Sequence, residues 1–383
     1  MRIDLPGHGP YTVRERTDWA VSAAPAASRV AYAAAHVVAD PLGDNTPGSP
    51  AAVDWDATLR FRHHLWAHGL RIADAMDTAQ RNMGLDWAAT AELIRRTAAE
   101  ARTLGDPATL VSCGAGTDHA PDAADLDAIT AAYAEQIETV QSAGAGVIVM
   151  ASRQLARVAT GPRDYHQVYG KLFGLAERPV ILHWLGEMFD PQLAGYWGSR
   201  DVAAATESFL ELVHAHAAMV DGVKVSLLDE EHEVRLRAAL PDGVRLYTGD
   251  DFNYPSLIAG GSHALLGIFD AIAPAAAAAL RELDAAEAGD EAARARYEKI
   301  LAPTVPLSRK IFESPTYHYK TGIVFLSWLN GHQDAFAMVN GAQSARSLLH
   351  LAEVFRLADQ AGLLADPELA VRRMSALLAV NGR

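Results

Sequence analysis

The chain has 383 residues, half of them hydrophobic and 21% charged, with a formal net charge of −14. This describes an ordinary globular protein, with one large α/β domain plus additions or two modest domains. The acidic balance argues against nucleic acid or an anionic membrane as main partner, since both require basic patches. A single cysteine, Cys113, excludes an intrachain disulfide and a cysteine-based zinc cluster, and reads as a small buried residue at a strand end. The N-terminal "MRIDLPGHGPYTVRERTDW" lacks the apolar core of a secretory signal. No stretch approaches the roughly 18 apolar residues of a membrane helix. A cytoplasmic, reduced setting is expected.

Taken in chain order, short apolar runs recur at 30–38, 70–76, 108–116, 146–152, 179–186, 222–227, 244–249 and 263–269. Turn signals and helical patterns separate them, such as "LDAITAAYAEQIETVQSAG" (126–144) and "VAAATESFLELVHAHAAM" (202–219). Eight strand-like runs alternating with helices predict an α/β chain, a closed (β/α)8 TIM barrel over residues 28–275 after an N-terminal segment, 1–27. An open doubly wound sheet competes, but no G-x-G-x-x-G follows the first run. "DPLGDNTPGSPAA" (40–52) forms a Pro/Gly-rich loop after the first strand. Beyond 275 the pattern turns helical: an alanine-rich stretch (273–300), then 319–331, 345–364 and 367–380. This predicts a helical C-terminal region, 276–383, packed on the barrel.

The sixth run, "GVKVSL", carries Lys224 between Val223 and Val225. A strand buried on both faces has little reason to hold an ammonium. Barrel active sites are built at the carboxyl ends of the strands. A lysine there, in a dry cavity, has its pKa lowered and becomes a nucleophile toward carbonyl carbons. Two other readings stay open: pairing with a buried carboxylate, or an outer-face lysine snorkelling between helices.

"GVKVS" followed by "VRLYTGDDFNYPSLIAGGSHALLGIFDAIAP" resembles the dihydrodipicolinate synthase and N-acetylneuraminate lyase superfamily of class I aldolase-like barrels. Lys224-Val225-Ser226 matches the family's Schiff-base segment on strand six. Gly249-Asp250-Asp251, Gly260-Gly261, Gly267 and Pro274 match the segment spanning strands seven and eight. "GAGVIVMASRQ" and "RPVILHWLG" look like strands four and five. The resemblance runs loosely over 30–365 and is most specific between 222 and 274. It implies a TIM barrel, a Schiff-base lyase and assembly as a homodimer or homotetramer.

Two departures point to a divergent branch. The family's proton-shuttling tyrosine on strand five is replaced by His183, an imidazole able to transfer protons nearer neutral pH. The carboxylate-binding loop after strand two reads Met76-Asp77-Thr78-Ala79-Gln80-Arg81, in which only Thr78 matches. Ala79 lacks the second hydroxyl, so a 2-keto acid is not expected to be held in the standard way, nor pyruvate to be preferred.

The resulting expectation is a lyase for a sugar-derived keto compound or keto acid, by aldol cleavage, dehydration or decarboxylation. Lys224 would be the imine former, His183 the proton carrier and Thr78 a relay. Asp74, Asp77, Gln80, Arg81, Asp250 and Ser226 would bind a hydroxylated substrate, and no cofactor is needed. Asp251 is read as a cap of the next helix or a substrate contact, and Tyr317, His318, Tyr319 and Lys320 as structural. The alternative is a metal-dependent sugar isomerase or epimerase, with His36, His119, His183, Asp74, Glu187 and Asp250 converging on a divalent ion. No local ligand motif supports it, and His64 and His68, four apart, read as one face of a helix. A third reading is a sensor or scaffold that kept the barrel and lost the chemistry.

Overall fold

A computed structural model describes residues 1–383. It contains a two-stranded antiparallel hairpin, β1 (Arg2–Leu5) and β2 (Gly9–Thr12), and eight parallel strands. The latter are β3 (Ala31–Ala34), β4 (Arg71–Asp74), β5 (Val111–Ala115), β6 (Gly146–Val149), β7 (Val180–Leu185), β8 (Val220–Ser226), β9 (Arg245–Thr248) and β10 (His263–Leu266). They close in sequence order, with β10 pairing back onto β3. The eight expected runs each hold one strand, and the barrel is the (β/α)8 fold expected.

Alternation along the strands sorts side chains into two compartments. Tyr32, Ala34, Ala73, Ile148, Ile181, Tyr247 and Leu265 point inward and pack together with Met76 and Met150. Their neighbours point outward into the larger core shared with the helices. Gly222 is required where the interior is crowded: a Cβ there would lie 2.6 Å from the Tyr247 ring.

Helices start where carboxylates can cap them. Asp125 accepts from the Ala128 amide at 2.8 Å, Asp201 from that of Ala203 at 2.8 Å, and Asp229 from that of His232 at 2.9 Å. The burst of acids after the sixth barrel strand is thus the opening turn of helix Glu230–Ala239, where Glu230, Glu231 and Glu233 complement the helix dipole.

The alanine-rich stretch is two helices, Ala273–Glu287 and Ala293–Leu301, because Gly289 adopts φ +104° between them. Helix Tyr319–Leu329 is buried along its whole length, consistent with its apolar circumference. The N-terminal segment holds the hairpin, for which the sequence gives no strand signal; its strands are four residues each, one carrying glycine and proline. It straps the C-terminal helices, with the Tyr11 hydroxyl donating to Asp359 at 2.6 Å and Trp19 Nε1 to the Gly362 carbonyl at 2.8 Å. No helix is long and apolar enough to cross a membrane.

Candidate active site

On β8, Lys224 stands level with His183 of β7 on one side and Tyr247 of β9 on the other. Residues in register on parallel strands share a face, and Tyr247 is an interior residue. Lys224 and His183 therefore face the inside of the barrel, at the carboxyl ends of their strands. Lys224 is only 7% exposed. This decides against an outer-face, snorkelling lysine. Burial lowers the lysine pKa, and the carboxylates of Asp77 and Asp251 partly offset that effect.

Gly249, just beyond β9, leaves room for the lysine stem. A Cβ at this position would overlap Ser226 Oγ and lie 3.0 Å from Lys224 Cε. His183 Nε2 is 3.4 Å from Ser226 Oγ, and Nδ1 has no partner. Burial, with Lys224 adding to it, holds the imidazole well below its ordinary range. The expectation that His183 titrates near neutrality is therefore corrected: it is a neutral ring.

Asp251 titrates near neutrality instead. It is fully enclosed, and burial raises its carboxyl to about 7 against the opposing pull of the Ile268 amide and of Lys224. That amide donates to Asp251 Oδ1 at 2.8 Å.

Thr78 and Asp77, in the short turn after β4, also belong to the barrel mouth. The Thr78 hydroxyl is 2.8 Å from the Tyr319 hydroxyl, so the C-terminal region reaches into the site. Tyr319 stacks on Phe312 at 4.3 Å, and Phe189 meets both rings edge-on. Burial and then Asp77 push the Tyr319 phenol well above its usual value.

Four expected substrate contacts lie elsewhere in the structure. Asp74 is outward on β4, next to inward Ala73, and is fully engaged behind the sheet. It accepts from Arg62 Nη2 at 2.8 Å, Thr97 Oγ1 at 2.6 Å and the Ala75 amide at 2.8 Å. Gln80 donates to the carbonyls of Met83 and Val339, tying loops together. Arg81 is paired with Asp118 and donates to Gln136 at 2.8 Å and to two backbone carbonyls. Asp250 accepts from the amides of Phe252 and Asn253 and from the Asn253 side chain, and so organises the loop after β9. Ser226 stays in the mouth beside His183.

The residues considered for a divalent ion are dispersed. His36 bonds Asp270 at 2.8 Å, His119 contacts Gln136 and Glu135, and Glu187 lines a separate cavity of about 270 Å³ with Arg200 and Asp229. No group of three or more His, Cys, Asp or Glu side chains is arranged to hold a metal. His64 and His68 meet edge to face at 4.9 Å beside His332. Cys113 is buried, with its thiol pushed up by burial.

The fold places this chain among barrels of one class. Dihydrodipicolinate synthase from Aquifex aeolicus superposes with a TM-score of 0.65 at 13% identity, covering 88% of this chain and 99% of that one. The enzyme from Bacteroides thetaiotaomicron gives 0.64 at 14% identity, covering 86% and 99%. A structure described as the first monomeric dihydrodipicolinate synthase variant gives 0.62 at 14% identity, covering 88% and 97%. At such identities the likeness concerns the fold.

By sequence, the chain belongs to the family described as "Protein of unknown function (DUF993)", whose model matches residues 6–383. A search of curated proteins finds no match.

Proposed function

We propose that this protein is a Schiff-base-forming lyase acting on a hydroxylated carbonyl compound, either a sugar-derived keto compound or a keto acid. The observation that carries the reading is Lys224: a buried lysine inside the barrel, at the carboxyl end of its strand, with its pKa depressed by burial. A depressed pKa supplies the neutral amine that attack requires. The amine adds to the substrate carbonyl carbon, and loss of water leaves an iminium. That cation accepts the electron pair of the bond that breaks beside it, giving an enamine. Protonation and hydrolysis then release product and restore the amine.

The surrounding groups suit the proton steps. Asp251, poised near pH 7, accepts the proton from a substrate hydroxyl or carbon as the bond breaks. Neutral His183, through Ser226 or directly, donates a hydrogen bond to the substrate. The Thr78–Tyr319 hydroxyl pair carries protons at the other side of the mouth.

Borohydride reduction in the presence of a panel of keto sugars and keto acids, read by intact mass and peptide mapping, tests the reading. The expected result is one carbonyl compound retained on Lys224. A panel that leaves Lys224 unlabelled while turnover proceeds removes this mechanism.

A further inference from the structure

The mechanism leaves a second buried lysine in the barrel mouth without a task. Lys320, in the first turn of helix 319–329, is 4% exposed. Its ammonium donates to the Tyr317 carbonyl at 3.1 Å, approaches the Met83 sulfur at 3.2 Å, and lies 4.6 Å from the centre of the Tyr319 ring. A carbonyl, a thioether and a ring face do not neutralise a buried cation, whose removal from water is costly without an anion in contact.

The charges around Lys320 come from four other segments. Asp77 after β4 and Asp190 after β7 favour the ammonium; Arg153 after β6 and Lys224 on β8 oppose it. Burial is the largest influence and brings the lysine down to about 8, so it remains mostly charged at neutral pH. Asp190 is already bound by Arg153 at 2.6 Å. The helix start beside Lys320 also favours negative charge: its cap residue, His318, makes no side-chain capping bond.

Resting on the Schiff-base reading above, we infer that Lys320 docks one oxyanion of the substrate, a carboxylate or a phosphoryl group, while the carbonyl of the same molecule meets Lys224. The substrate class narrows to anionic carbonyl compounds. Ala79 offers an oxyanion no hydroxyl, and a charge from the C-terminal region takes over that task.

Thermal unfolding of the full chain tests this, with acetate and inorganic phosphate titrated separately at pH 7 and constant ionic strength. The expected result is a saturable rise in Tm with one of the two anions. A response to acetate assigns a carboxylate, and a response to phosphate assigns a phosphoryl group. The rise should be equal in Lys224→Ala, which cannot form an imine, kept in Lys320→Arg and lost in Lys320→Met. If Lys320→Met does not fold, the pH dependence decides. Raising the pH from about 7 to 9.5 should abolish the wild-type response, as the ammonium is lost, and spare that of Lys320→Arg. The inference is overturned if neither anion raises Tm, if the response survives in Lys320→Met, or if it is unchanged at the higher pH in wild type. Borohydride labelling separates the two ideas. An anion response without labelling of Lys224 removes the lyase reading and leaves the anion site. Labelling without an anion response does the reverse.

Discussion

Two buried charged groups, one behind the barrel wall and one inside it, are handled in opposite ways. Behind β4, Asp74 and Arg62 are both fully buried, and each is saturated: Arg62 also donates to the carbonyls of His36 and Thr58, and Asp74 also accepts from Thr97 and Ala75. Inside, Lys224 and Asp251 sense each other without the same closure, and burial moves both toward their neutral forms. Complete compensation locks a charge in place. Incomplete compensation leaves groups shifted toward forms that can take up or give up a proton during a reaction, which is what covalent and acid–base chemistry needs.

The sharpest way to break the contrast is at Lys224. If its role is covalent, Lys224→Arg keeps a cation but loses the nucleophile, because guanidinium stays protonated. Lys224→Ala loses both, and removing an amine from an apolar strand leaves the fold intact. Turnover should fall by several orders of magnitude in both, with unchanged circular dichroism. Substantial activity in Lys224→Arg would sink the imine mechanism.

Asp251 is next. A positioned acid–base group contributes about 10²–10⁴-fold, so Asp251→Asn should lower kcat by that order. The pH profile gives the sign. If the carboxylate acts as base, kcat/KM of the wild type rises through an apparent pKa near 7 on the acidic side. The variant should lack that limb. Stability should respond in the other direction: the folded carboxyl holds its proton to higher pH than the unfolded one. Its contribution is thus full below about 3.8 and lost as pH rises through about 7. A wild-type profile flat across this range removes Asp251 from the chemistry.

The saturated pair should behave as structure alone. Arg62→Met leaves the Asp74 carboxylate buried and unpaired, at a cost of about 3–5 kcal/mol. Urea unfolding should report that loss, while kcat per folded molecule at low temperature stays unchanged. A selective loss of kcat would place Asp74 in the site after all.

What is readable from sequence divides along the same line. All eight barrel strands are legible because each is a short apolar run bounded by turn residues, and Lys224 stands out as a polar residue inside one. Asp74 misleads because the run "LRIADAM" does not say which parity faces inward; only Ala73 in the interior cluster decides it. Asp250 and Asp251 are adjacent, and either could cap or catalyse. Pairing of the one with backbone amides at 252 and 253, and of the other with the distant Ile268 amide, separates them. Tyr319 and Lys320 stand out in sequence but read as structural, since a helix more than 90 residues from Lys224 has no local signature of what it covers.

The smallest expected effect concerns that covering helix. Thr78→Val keeps the side-chain shape and removes one hydroxyl of the 2.8 Å bond to Tyr319. A neutral hydrogen bond contributes about 0.5–1.5 kcal/mol, and the stranded phenol adds a desolvation penalty of similar size. A lower Tm is therefore expected whatever the role of the pair, and stability alone cannot separate structure from function. Kinetics can. If the bond orients the phenol for proton transfer, kcat should drop about tenfold, near 1.4 kcal/mol in the barrier, with KM unchanged. Thr78→Ser, which retains the hydroxyl, should recover most of that loss. If Thr78→Val lowers Tm but leaves kcat at the wild-type value, helix 319–329 closes the barrel as a lid of packing, and the proton path lies with Asp251 alone.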